Sequence, residues 1–243
     1  MSVKSARRTT RVSSDTELTE SFEHNWMFDF KIKRPLYFNP KHREFYDCIK
    51  HSKTKIGFVD GPAGSMKTYI AVYAGLELIK QERFQRLVYI RSVTESAERS
   101  LGSLPGEIDD KFSPYAAPLE EKITEITDAS TYGMLKQKGV VEAIPVNFVR
   151  GLTFNKALVV VDEAQNLSRK ELTTILTRFG RDTRYIVIGD CNQADVNKSG
   201  YKEIFNMFNN KQCIDNDIYS FEFGNDEISR SKILRFICKV LGT

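Results

Sequence analysis

Four short apolar runs, at residues 55–59, 87–90, 157–161 and 185–188, and a weaker fifth at 219–223, punctuate the chain. Most are almost continuously apolar, whereas a strand with one face in water would alternate. Strands covered on both faces read this way. The stretches between them have room for helices, and residues 67–81 and 169–179 carry helical patterns. Strands alternating with helices predict an α/β fold of three layers around a mostly parallel sheet. The 243 residues suffice for one such domain with a small appendage. Residues 94–145 fit the alternation less well. They hold Leu101-Gly-Ser-Leu-Pro-Gly106, then Pro114, Pro118 and a helical run at 119–126, and are expected to form a helical insertion on one edge of the sheet.

Charge narrows the choice of partners. The net charge is +4, and Lys4, Arg7, Arg8 and Arg11 supply as much within the first fourteen residues, which contain no acid. The rest of the chain therefore balances, unlike a dedicated nucleic-acid binder with a basic face. Residues 1–35 read as a basic, flexible arm, either a polyanion-binding extension or a solvated tail. Residues 36–243 form the domain. No apolar run approaches the ~20 residues that span a bilayer, and the start lacks the apolar stretch of a secretory signal. Cys48, Cys191, Cys213 and Cys238 show no C-x-x-C spacing. Reduced thiols in a cytoplasmic protein are the expectation.

The first apolar run leads into Gly61, Pro62, Ala63, Gly64, Ser65, Met66, Lys67 and Thr68, followed by a helical pattern. This is the strand–loop–helix context of G-x-x-x-x-G-K-[ST], the phosphate-binding P-loop. Glycines let backbone N–H groups turn inward around phosphates, and the helix start adds its positive dipole end. Lys67 can reach the β- and γ-phosphates of ATP, and the Thr68 hydroxyl can ligate Mg²⁺. Met66 departs from the pattern, standing where glycine is usual. If that position needs positive φ, Met costs about 1 kcal/mol or more; if it takes helical angles, nothing is lost.

The third run ends in Asp162-Glu163-Ala164-Gln165, an apolar strand closing on two acids in the manner of a Walker B segment. Asp162 is expected beside the cradle, holding Mg²⁺, and Glu163 is positioned to polarise the attacking water. The fourth run leads into Gly189-Asp190-Cys-Asn-Gln193. Gln193 either touches the γ-phosphate or belongs to a turn built on Gly189 and Asp190.

Taken together, Gly61–Thr68, Arg150-Gly-Leu-Thr153, Asp162-Glu-Ala-Gln-Asn166, Leu176-Thr-Arg-Phe-Gly180, Gly189–Gln193 with Ser199-Gly200, and Leu104-Pro-Gly106 with Lys111, Pro114-Tyr115 and Pro118-Leu119 resemble the PhoH family. The resemblance covers roughly residues 36–240, and the short chain is similar to the bacteriophage members. It implies a cytoplasmic ATP-binding protein, in the host cytoplasm if phage-encoded, with a RecA-like core similar to superfamily 1 helicases. Some relatives fused to a nuclease domain act on RNA. The resemblance also implies that Gln193 senses the γ-phosphate and that Arg230, in Asp226-Glu-Ile-Ser-Arg230, approaches it. His42 stands about where many relatives have the glutamine of an adenine-reading motif, and is either its counterpart or a surface histidine near a helix start.

Two functions compete. One is an ATPase that moves on or remodels single-stranded RNA or DNA, RNA before DNA. The other is an ATP-binding regulatory or assembly module with weak turnover, favoured by the lack of a second helicase-like lobe. A nucleotide or small-molecule kinase ranks third, since no acceptor-binding motif is seen and Asp162-Glu-Ala-Gln165 resembles helicases more than kinases. A single lobe also needs a transition-state arginine. Arg178 and Arg230, with Arg150 behind them, are the candidates, donated by a neighbour in a homo-oligomeric ring, a hexamer being expected.

Overall fold

A computed structural model describes residues 30–33, 38–92, 108–193, 199–229 and 231–241. Six strands run parallel in one sheet: β1 (Ile56–Asp60), β2 (Arg86–Arg91), β3 (Val141–Pro145), β4 (Ala157–Asp162), β5 (Arg184–Gly189) and β6 (Ile218–Glu222). Their order is β3-β2-β4-β5-β1-β6. All side chains of β4 and β5 are buried, as expected of central strands covered on both faces.

One face carries α1 (Pro40–Lys50), α2 (Lys67–Lys80), α3 (Ile108–Ile126) and α4 (Ala129–Gln137), which share a core with Tyr89, Leu158, Val160 and Ile186. The other face carries α5 (Arg169–Leu176) and α6 (Tyr201–Phe208), packed on Phe58, Val88, Val159 and Val187. The short α7 (Lys211–Ile214) precedes β6, and α8 (Lys232–Leu241) follows it. The fold is therefore the expected three-layer α/β arrangement of a P-loop NTPase. Each fully buried Val, Leu or Ile in these layers contributes about 1.5–3 kcal/mol.

One feature departs from the sequence-based expectation. Residues 141–145, assigned above to the insertion, form β3 and pair with β2 in the register Leu87↔Val141 to Arg91↔Pro145. Glu142 and Pro145 mask the strand in sequence. Both are tolerated because β3 lies at the sheet edge, where one side needs no ladder partner. In the sheet, β4 and β1 are not direct neighbours. β5 lies between them, so the Walker B acid reaches the cradle across the tip of β5.

Helix starts are mostly capped by side chains. Asn39 caps α1, Asp128 caps α4, and Ser168 with Glu171 forms a capping box on α5. α2 begins after the phosphate-binding sequence without a side-chain cap. A helix start of this kind presents its positive dipole end to whatever lies before it. Among the described residues no helix is long and apolar enough to cross a membrane, and all four cysteines are free thiols.

Candidate active site

The carboxyl ends of β1, β4 and β5 converge beneath the start of α2, where ligands bind in open parallel sheets. The turn out of β1 is tight. The Gly61 N–H donates to Gly189 O at 3.2 Å, and a Cβ on Gly61 would stand 2.8 Å from the Phe223 carbonyl oxygen. Only glycine fits there. Gly64 takes φ +79°, and its carbonyl accepts the Ser229 N–H at 3.1 Å, which ties the segment after β6 to the loop. The Ser65 hydroxyl donates to Pro62 O at 2.7 Å. The Lys67 ammonium, buried inside the loop, donates to Gly61 O at 2.5 Å, Pro62 O at 2.8 Å and Ser65 Oγ at 3.2 Å. Burial pushes its pKa down, against the pull of Asp190, Asp162, Asp60 and Glu163.

Met66 resolves the alternative left by the sequence. Its φ of 63° and ψ of 10° are left-handed, so the residue pays the roughly 1–2 kcal/mol that a side chain costs there. The Met66 side chain packs against the helical core on the α2 face, which offsets part of that strain. Because phosphate would be held by the neighbouring N–H groups, Met66→Gly should leave ATP hydrolysis within about a factor of ten. Steady-state turnover checks this. A much larger gain would mean that the methionine distorts the loop.

At the tip of β4, Asp162 is 6% exposed. Its Oδ1 accepts the Thr68 hydroxyl at 3.0 Å and its Oδ2 the Tyr89 hydroxyl at 2.5 Å. The acid is thus oriented from both sides, by the cradle and by β2. Glu163 follows in a left-handed conformation, φ 53° and ψ 41°, and its carboxylate lines the same cavity. Gln165 fixes it: Nε2 donates to Glu163 Oε2 at 2.6 Å, while Oε1 accepts the Asp190 N–H at 3.1 Å. One buried amide therefore couples the tips of β4 and β5. Arg91 Nη2 lies 3.7 Å from Glu163 Oε1 on the other side.

At the tip of β5, Asp190 is buried and its pKa is pushed up by that burial. Asp190 O accepts the Gln193 N–H at 3.1 Å, and Asp190 Oδ1 accepts the Asn192 N–H at 3.0 Å. Gln193 belongs to this turn, the second of its two alternatives, and its side chain is among those that line the cavity.

The cavity has a volume of about 570 Å³, and α3 closes one side with Pro118, Glu121, Lys122 and Glu125. Among its described lining residues are five carboxylates (Glu121, Glu125, Asp162, Glu163, Asp190) and three cations (Lys67, Arg91, Lys122). An acidic wall repels a bare nucleotide, so a polyphosphate fits best together with a divalent cation. No group of three or more His, Cys, Asp or Glu among the described residues could hold a metal by itself. The Thr68–Asp162 pair suits Mg²⁺, which takes one or two protein oxygens and completes its shell with phosphates and water.

The remaining candidates lie elsewhere. Arg178 sits just beyond α5, where its Nε donates to Thr174 O at 3.4 Å and its carbonyl accepts the Phe154 N–H. That is the end at which β5 begins, away from its own cavity. Arg150 is exposed between β3 and β4. Arg230 lies outside the described residues. His42 is no surface histidine: it is 1% exposed and packs edge-on against Phe223 at 5.2 Å. Its Nδ1 accepts the Asn39 N–H at 3.3 Å, and burial lowers its pKa despite Glu227. Tyr89, Arg91 and the α3 acids were not foreseen. No local pattern marks them, because tertiary packing alone brings them to the cavity.

Residues 37–242 match the family model described as PhoH-like protein. The chain belongs to the PhoH-like protein family. Similar members include a PhoH-like protein of Bacillus subtilis, 34% identical over 64% of this chain and 48% of that one. A PhoH-like protein of Mycobacterium leprae is 31% identical over 84% and 57%, and Protein PhoH of Escherichia coli is 33% identical over 72% and 50%. The chain thus spans about half the length of the curated relatives it matches. Among solved structures, a chain from Drosophila ORC bound to DNA overlays with a TM-score of 0.30 at 12% identity, over 97% of this chain and 55% of that one. That likeness is too loose to bear on function.

Proposed function

We propose that this PhoH-like chain is a cytoplasmic Mg²⁺-dependent ATPase whose turnover is coupled to binding or remodelling of single-stranded nucleic acid, RNA before DNA. The observation that carries the reading is the Thr68–Asp162 hydrogen bond, which joins cradle and Walker B acid at one cavity with Glu163 beside them. The Gly61–Thr68 loop would bind the phosphates, and Lys67 would neutralise the β- and γ-oxygens. Thr68 and Asp162 would hold the metal ion, which when bound adds positive charge to those oxygens. Glu163, oriented by Gln165, would accept a proton from the attacking water. Gln193 would sit against the γ-phosphate.

ATP turnover measured with and without Mg²⁺, and with single-stranded RNA or DNA, tests the reading. Mg²⁺-dependent hydrolysis that rises at least severalfold with RNA is expected. ATP binding with negligible turnover under every condition would instead identify a regulatory or assembly module, a role favoured by the strained Met66.

A further inference from the structure

Hydrolysis of ATP places growing negative charge on the γ-phosphoryl oxygens and the bridging oxygen, and an arginine directed at that charge can be worth ~10³-fold or more. The described cavity offers three cations. Lys67 is the cradle lysine, held inside the loop. Lys122 is neutralised on its own helix, with Glu121 at 3.0 Å and Glu125 at 3.1 Å. Arg91 remains. Among the described residues its guanidinium makes no hydrogen bond and meets one carboxylate, Glu163, at 3.7 Å, beyond hydrogen-bond distance. No described group occupies its donors, and its side chain lines the cavity.

The backbone explains its aim. Arg91 is the last residue of β2, in register with Asp162. Side chains two apart on a strand share a face, so Arg91 lies on the face of Tyr89, whose hydroxyl reaches Asp162. β2 thus sends two side chains toward the Walker B acids. Arg91 ends beside the carboxylate that takes the water's proton, and hence beside the phosphorus that this water attacks. A guanidinium there can donate two N–H bonds to a phosphoryl group.

We propose that Arg91 is a catalytic residue that binds the γ-phosphoryl oxygens in the transition state, supplied by the same chain that holds the nucleotide. The proposal rests on the site hydrolysing ATP. Water oxygen bonds to the γ-phosphorus as the bond to the bridging oxygen breaks. The electron pair leaves with ADP, and a water proton passes to Glu163. Arg91 carries the charge that accumulates on the transferred group. This arginine is intrinsic to the chain, whereas Arg178, Arg230 and Arg150, the candidates marked by the sequence, would be donated by a neighbour.

The experiment compares Arg91→Ala and Arg91→Lys with the parent chain. In Arg91→Ala, kcat should fall about 10³-fold or more, while affinity for a non-hydrolysable ATP analogue changes less than about threefold. Binding of ADP with aluminium fluoride, a mimic of the transferred phosphoryl group, should fall in step with kcat. Arg91→Lys should recover only part of the loss, since lysine lacks the two-pronged donor. Retained analogue binding shows that the variants are folded. The loss of aluminium fluoride binding should persist in a Glu163→Gln background, where a residue that merely holds Glu163 would have no effect. Mixing Glu163→Gln with Arg91→Ala chains should restore nothing. Unchanged kcat, equal loss of analogue and mimic binding, or recovered activity on mixing would each overturn the proposal. A parent chain without ATP turnover would overturn the reading of the site and this proposal together; parent turnover with an unaffected Arg91→Ala overturns the proposal alone.

Discussion

Glu163→Gln should bind Mg·ATP with affinity close to the parent and hydrolyse it about 10²–10⁴-fold more slowly, the range a positioned general base supplies. The left-handed backbone at Glu163 turns its carboxylate into the cavity rather than along the strand. One oxygen is taken by Gln165 Nε2 at 2.6 Å. The other lies toward Arg91 and is the one free to accept a proton from water. A glutamine there has one acceptor oxygen. If that oxygen keeps the bond to Gln165, an NH₂ group faces Arg91 and the water, and neither proton acceptance nor water orientation survives. The substitution preserves volume and removes one charge, so folding and nucleotide binding should hold. Single-turnover hydrolysis, with nucleotide binding measured in parallel, checks the result. Turnover at the parent rate would place the base elsewhere.

The elements most legible in the sequence were those whose constraint is local. β1, β4 and β5 are almost continuously apolar between their ends because both faces are covered, and that demand falls on nearly every residue of each strand. The cradle was legible because backbone geometry requires particular residues at fixed spacing: Gly61 cannot carry a Cβ against Phe223. Met66 marks the limit. A methionine is disfavoured at positive φ, and only the surrounding loop and core hold it there, so sequence could state the alternatives without choosing. β3 escaped because an edge strand tolerates Glu142 and Pro145. His42 escaped for another reason. Its N-capping role is local, but its burial depends on Phe223, which joins it only when β6 pairs with β1. Arg91 and the charged α3 residues Glu121, Lys122 and Glu125 line the cavity through sheet order and helix docking, which no short motif encodes.

Lys67→Ala should lower ATP affinity at least 100-fold. The ammonium would supply charge-assisted bonds to phosphate oxygens, each worth about 1.5–3 kcal/mol. Two of them correspond to roughly 10²–10⁴ in affinity, at 1.4 kcal/mol per decade. The wall left behind makes the loss worse, because five carboxylates would then face two cations around the phosphates, Arg91 and Lys122. The substitution also orphans acceptors in the loop, since Gly61 O and Pro62 O lose the ammonium that bonds them at 2.5 and 2.8 Å. Buried acceptors without partners cost about 1–3 kcal/mol. Against this, the alanine variant no longer buries a cation whose protonation burial itself disfavours. The two terms oppose each other, so the thermal midpoint should move by only a few degrees while nucleotide affinity collapses. Calorimetric titration with Mg·ATP, beside a thermal melt of the same sample, separates the two effects. Lys67→Met, which keeps the length of the side chain without its charge, should lose as much affinity as the alanine. Parent-like ATP affinity in either folded variant would remove the phosphate cradle from Gly61–Thr68, because no other cation among the described residues stands inside that loop.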